Sequence, residues 1–159
     1  MNDLKENLGE SEKVLYEPKI HWVAMFDFKL IFFTIVFISL IIFKIIFIDY
    51  RTKEVEYAFY FFNIGTIFIF IKNLIYYKTT SFLVTNQRIM KKYGFLSIEI
   101  QELSFSKLET INMFQTLIGR ITNSGNVYVS GTGSTFLNLI DLDEPLKLKN
   151  IISNNIKNN

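Results

Sequence analysis

Two long apolar stretches constrain this chain more than anything else in it. They run from Phe28 to Ile48 and from Tyr57 to Tyr77, joined by a short, mostly charged connection, Asp49 to Glu56. As a helix of about 21 residues rising about 1.5 Å each, either stretch covers roughly 30 Å, the thickness of the hydrocarbon core of a bilayer. Most of the 17 phenylalanines of this 159-residue chain fall in this region. The polar remainder is too short to wrap two such helices as a soluble core, so the sequence predicts a transmembrane hairpin over residues 28–77.

Details along the hairpin agree with lipid as its solvent. Lys29 and Lys44 lie toward the ends of the first span, where a long amine side chain reaches the headgroups along its own methylenes. His21, Trp22, Tyr57, Tyr60, Tyr76 and Tyr77 fall at the expected water interfaces, which amphipathic rings prefer. Asn63, Gly65 and Thr66 of the second span are placed to face Thr34 and Ser39 of the first, since small and hydroxyl side chains permit close helix packing. Residues 1–27 read as a polar segment, flexible up to Val14 and without the basic start and cleavage site of a signal peptide. Two spans put both termini on one side. Lys19, Lys29, Lys72 and Lys78 on the flanks, against Arg51 and Lys53 in the connection with Lys44 leaning the same way, favour the cytoplasmic side by a small margin.

Composition excludes several chemistries. Cysteine is absent, which removes disulfides, thiolate metal sites and Cys nucleophiles, and with His21 as the one histidine neither a His-based metal site nor a Ser-His-Asp triad is expected. A net charge of +2 with no Lys/Arg run gives no footprint for nucleic acid.

From Thr79 the hydrophobic period shortens toward two, as in half-buried antiparallel strands. Strands are expected near 80–84, 88–93, 97–104, 108–114, 126–130 and 135–142, punctuated by Gly94, Gly119, Gly125, Gly131 and Gly133. Asp143-Glu144-Pro145 then opens a helix whose Leu148, Ile151, Ile152 and Ile156 share one face and cover the sheet.

Several blocks here carry a family resemblance. They are Glu17-Pro-Lys-Ile-His21-Trp22 ahead of two hydrophobic spans, Phe82-Leu-Val-Thr-Asn-Gln-Arg-Ile, Lys92-Tyr-Gly-Phe-Leu-Ser, Leu108-Glu-Thr-Ile, Gln115-Thr-Leu-Ile-Gly-Arg and Gly125-Asn-Val-Tyr-Val-Ser-Gly-Thr-Gly. In this order they resemble the bacterial pleckstrin-homology-like (PH-like) family of small membrane proteins. The resemblance implies a membrane α-helical hairpin plus an all-β PH-like barrel or sandwich of about six to seven antiparallel strands over residues 79–156, closed by a C-terminal α-helix, in the bacterial cytoplasmic membrane. Eukaryotic lipid-binding domains of this fold use basic residues around the loop between their first two strands. Here that loop is expected at Thr85-Asn86-Gln87, short and uncharged, so no phosphoinositide site is carried over.

Gly131-Thr132-Gly133-Ser134 lacks the spacing, the Lys and the following helix of a phosphate loop, and reads as a hairpin turn. Arg88, Lys91, Lys92 and Arg120 are the candidate basic surface, each cation near an anionic leaflet contributing about 1 kcal/mol. Strand alternation sets Arg88 and Lys92 on one face and Lys91 on the other. Gln115 and Arg120 are candidate contacts for a partner, or else hold the turn between them. No spacing selects a carboxylate pair for hydrolysis, so neither a catalytic nor a metal site is assigned and no cofactor is implied. The sequence therefore reads as a membrane-anchored module for protein partners, a second copy of the chain, or anionic lipid headgroups. The alternative is a subunit of an oligomeric transport or channel assembly, with a path past Lys44 and Asn63.

Overall fold

A computed structural model describes residues 4–5, 7–9, 11–46 and 53–158. The chain divides into two compact units, Met1–His21 with Lys78–Asn159, and Trp22–Tyr77. Phe47, Ile48 and most of the expected connection, Asp49 to Thr52, lie outside the described residues.

The second unit is helical. A 3-10 turn, Trp22–Met25, precedes α1 (Phe28–Ile46), and α2 (Lys53–Thr79) returns. Asp27 caps α1 by accepting from the Leu30 N–H at 2.9 Å. Helix α2 begins at Lys53, four residues before the expected Tyr57. Glu54 and Glu56 occupy its first turn, where the helix dipole favours acids, so the charged connection continues into the helix. Phe33 packs on Phe62 and Phe37 on Phe59, with ring centroids 5.4 and 5.1 Å apart. Gly65 meets the Phe33 ring so closely that a Cβ there would stand 2.6 Å from it. Thr34 and Thr66 donate back to their own helices, to the carbonyls of Leu30 and Phe62 at 2.8 Å each, and do not bond across the pair. Leu30 is the buried residue of α1 and Asn73 that of α2. Both helices are long and apolar enough to cross a membrane while remaining almost wholly uncovered, unlike the core helix of a soluble domain.

The first unit holds two antiparallel sheets. One is ordered β1-β2-β3-β4, with β1 Val14–Tyr16, β2 Ser81–Thr85, β3 Arg88–Tyr93 and β4 Glu99–Ser104. The other is β5-β6-β7, with β5 Leu108–Phe114, β6 Ser124–Gly131 and β7 Thr135–Asp143. A short helix, α3 (Leu117–Thr122), joins β5 to β6, and α4 (Pro145–Asn158) follows β7. The sheets form a sandwich and are not closed into a barrel. An isolated bridge, Ile20 to Leu142, links the chain after β1 to β7.

Period-two patterning explains the core. Val127 and Val129 of β6, Leu137 and Leu139 of β7, and Val84 and Ile89 of the first sheet point inward, while Tyr128 and Phe136 point out. Leu148 and Ile152 of α4 are buried against them, whereas Ile156 is exposed and lies beyond the covered region. Strand β2 breaks the alternation, for Phe82, Leu83, Val84 and Thr85 are all buried. Its outer face is covered as well: Leu83 and Met90 pack on Leu4 and Leu8 of the N-terminal segment.

That segment departs most from expectation. The sequence reads residues 1–27 as a polar lead-in, flexible up to Val14; among the described residues Leu4 and Glu12 are buried and Val14–Tyr16 is a strand, with Val14 beside Thr85 and Tyr16 beside Val84. A three-residue strand is too short for periodicity to reveal, and its pairing partner lies about seventy positions away in sequence. The helical hairpin is thus inserted between the first two strands of the sandwich. Thr85-Asn86-Gln87 joins the second and third strands, which corrects the assignment made from sequence. The Gly131–Ser134 turn is a β-hairpin as expected, with φ of +74° at Gly133 and +61° at Ser134.

Candidate functional site

The Thr85-Asn86-Gln87-Arg88 motif is a clasp for the N-terminal segment. The Thr85 hydroxyl accepts from the N–H groups of Gln87 (3.2 Å) and Arg88 (3.1 Å) and donates to Glu12 Oε1 at 2.7 Å. Asn86 exchanges two bonds with Lys13, its Oδ1 accepting at 2.8 Å and its N–H donating at 3.0 Å. Gln87 Nε2 donates to Ser11 Oγ at 3.3 Å. Arg88 closes the set: Nε and Nη2 grip the two Glu12 carboxylate oxygens at 3.0 and 2.9 Å, Nη1 reaches Glu102 at 2.6 Å, and Nη2 also donates to the Asn7 carbonyl at 3.0 Å. Two parallel N–H donors on one carboxylate are the strong form of this pair. Burial pushes the Glu12 carboxyl up, but hydrogen bonds from Arg88, Thr85 and the Gly9 N–H outweigh it and hold it below its ordinary value. The same bond to Glu12 raises Arg88. Arg88, a candidate binding cation from sequence, therefore has its charge matched within the domain. Glu12 was missed because nothing local marks a lone acid as the partner of an arginine 76 residues away.

The other candidates do not converge on one surface. Lys92 lies on the Arg88 side of β3 and is 9% exposed. Lys91, on the opposite side, donates to the Asn138 carbonyl at 2.9 Å and sits 4.9 Å from the Tyr93 ring centroid. Desolvation lowers its pKa, partly opposed by Glu99. Gln115 holds its turn, Nε2 donating to the Ser124 carbonyl at 3.0 Å. Arg120 is exposed on α3. Among the interface candidates, the His21 N–H donates to the Asp141 carbonyl at 2.7 Å, while Trp22 is exposed edge-on to Phe26. Lys29 is exposed, and Tyr76 and Tyr77 are half-buried. The Lys44 amine stands 4.1 Å from the centroid of the Phe59 ring, whose negative face offsets part of the cost of a charge in apolar surroundings.

Sequence reading also missed two exposed apolar turns. In the first sheet Ser81 lies beside Lys92 and Tyr93 beside Glu99, so the turn Gly94–Ile98 caps the end at which the chain arrives from α2. Phe95, Leu96 and Ile98 of that turn are 66%, 96% and 60% exposed. In the second sheet Ser124 lies beside Asp143, so α3 caps the strand end at which Lys19 bonds β7, and from there the chain runs to His21 beside Asp141, away from α3. Leu117, Ile118 and Ile121 of α3 are exposed, and Phe114 just before it likewise. Thr116 caps α3 by accepting from the Gly119 N–H, fixing the turn that presents them. Exposed apolar clusters of this kind are uncommon on a surface that meets only water. Their signal in sequence, apolar residues beside Gly94 and Gly119, is identical to that of core strands, so pattern alone had no means of separating them.

The sequence pattern of the family described as Bacterial PH domain matches residues 21–156. No curated protein matches. Among solved structures the chain is similar to a DUF1696 family protein with a pleckstrin-homology domain from Shewanella loihica PV-4. The identity is 8%, 96% of this chain and 89% of that chain are covered, and the TM-score is 0.46.

Proposed function

The chain belongs to the bacterial PH domain family, and from that premise we propose that it is an integral membrane protein whose PH-like domain works at the bilayer surface as a non-enzymatic module for protein partners or anionic lipid headgroups. The observation that carries this reading is the insertion of the hairpin between β1 and β2. One residue, Thr80, separates the last residue of α2 from the first of β2, so these positions are at most about 7 Å apart. On the other side His21 is still bonded to β7 while Trp22 already belongs to the helical unit. A domain joined this closely to both spans stays beside the bilayer, so its ligands meet it at the membrane surface or reach it there. Both termini are assigned to the cytoplasmic side of the cytoplasmic membrane, on the Lys/Arg balance of the flanks. Arg120, exposed beside apolar neighbours on α3, is the candidate cation carried forward for headgroup contact.

The absence of native cysteine makes the test direct. Single-cysteine variants Arg51→Cys and Ser134→Cys, in intact cells, are treated with a membrane-impermeant maleimide. Labelling of the first from outside and of the second only after permeabilisation is expected. Labelling of both from one side refutes the hairpin.

A further inference from the structure

We propose that the turn Gly94–Ile98 is a second membrane contact, which dips Phe95, Leu96 and Ile98 into the interfacial layer of the same bilayer that holds the hairpin. The proposal rests on the membrane-spanning reading above and adds to it a site on the β-domain.

Three observations lead to lipid as the occupant. The first is position. Ser81, the first residue after the α2 connection, is the strand partner of Lys92, and the turn begins two residues beyond Lys92. The turn therefore projects from the same end of the sheet that receives the chain from the membrane helix. The last part of α2 carries Lys72, Tyr76, Tyr77 and Lys78, residue types that settle at headgroup level, and the sheet starts at Ser81, three positions after the last of them. The second is composition, since the tip offers three large apolar side chains at 60–96% exposure and no charge between Gly94 and Ile98. A surface turn meeting only water has no use for such a set, whereas interfacial anchors are built from it. The third is shape. Gly94 has φ +104°, and a Cβ there would stand 1.9 Å from the Ser97 carbonyl oxygen. The chain thus folds back on itself at Gly94, a conformation open to glycine, and this tight turn is what thrusts Phe95 and Leu96 outward. Ile89 and Leu103, farther along the same two strands, fill the core, so the outward residues are surplus to the packing of the domain.

The test uses the full chain in vesicles of phosphatidylcholine and phosphatidylglycerol, with a nitrobenzoxadiazole label on one introduced cysteine at a time. Leu96→Cys and Ile98→Cys report the turn, Ser134→Cys reports the far hairpin of the second sheet, and Ile64→Cys in α2 reports the span itself. Quenching by spin-labelled lipids is compared with quenching by aqueous iodide. Labels at 96 and 98 are expected about 5–10 Å below the headgroup level, as for other interfacial anchors. The label at 134 is expected to answer to iodide alone. Iodide quenching at 96 and 98 equal to that at 134, with Ile64→Cys still quenched by lipid, overturns the inference and leaves the hairpin standing. A loop label shielded from both quenchers also overturns it, in favour of a protein occupant. Loss of lipid quenching at 64 overturns the anchoring on which it rests. Should a cysteine at 96 unfold the turn, the label at 98 supplies the same reading.

Discussion

Replacing Glu12 by Gln isolates the clasp that joins the N-terminal segment to the sheet. The carboxylate side chain is 2% exposed and accepts from Arg88 Nε (3.0 Å), Arg88 Nη2 (2.9 Å), Thr85 Oγ1 (2.7 Å) and the Gly9 N–H (3.2 Å). Gln keeps the size and one acceptor but turns an amide NH₂ toward a guanidinium donor. Removing one partner of a buried pair costs about 3–5 kcal/mol. Arg88 is itself 26% exposed and retains Glu102 and the Asn7 carbonyl, so the loss here is about 2–3 kcal/mol. The internal comparison is Glu102→Gln. Glu102 makes the shorter bond to the same arginine, 2.6 Å, but is 38% exposed, and a solvated pair contributes about 0–1 kcal/mol. Hydrogen exchange of the full chain in nanodiscs reads the difference at the Lys13 and Asn86 amides, which bond across the clasp. At 1.4 kcal/mol per tenfold, Glu12→Gln should speed their exchange by about 30- to 150-fold and Glu102→Gln by less than about fivefold. Equal acceleration in the two variants, or less than about fivefold in Glu12→Gln, refutes the argument that burial rather than distance sets the strength of the pair.

Acid tests the same group differently. Because the folded Glu12 pKa is held below its ordinary value of 4.5, its stabilisation is fully present above that value and is lost as pH falls through the lower, folded one. The thermal midpoint of the β-domain should hold from about pH 7 to 5 and drop below about 4.5, with Glu12→Gln flattening the acid limb; an unchanged limb excludes Glu12 as its source. On α4, Ile152→Ala should cost about 2–5 kcal/mol and Ile156→Ala less than about 1, because the first is fully buried and the second 38% exposed. Thermal unfolding of the two variants reads this directly, and equal losses contradict the packing described for α4.

Sequence alone determined the elements whose signal is local and repeated. Two apolar runs of helical length, six strands of period two and a Pro-initiated closing helix are each written in consecutive residues, and each appears within a few positions of its expected place. Even the division of Arg88 and Lys92 from Lys91 followed from strand alternation. Tertiary structure decided everything that depends on residues far apart in the chain. It brought Glu12 to Arg88, made the short, uncharged Thr85-Asn86-Gln87 loop and the strand residue Arg88 into a clasp, and made Val14–Tyr16 a strand by pairing it with β2 across the whole hairpin. It also separated apolar residues that look alike in sequence, burying Ile89 and Leu103 while leaving Leu96 and Ile121 in the open. The physical reason is common to all of these. Periodicity reports which side chains share a face, but whether that face is covered, and by what, is set by segments that periodicity cannot connect.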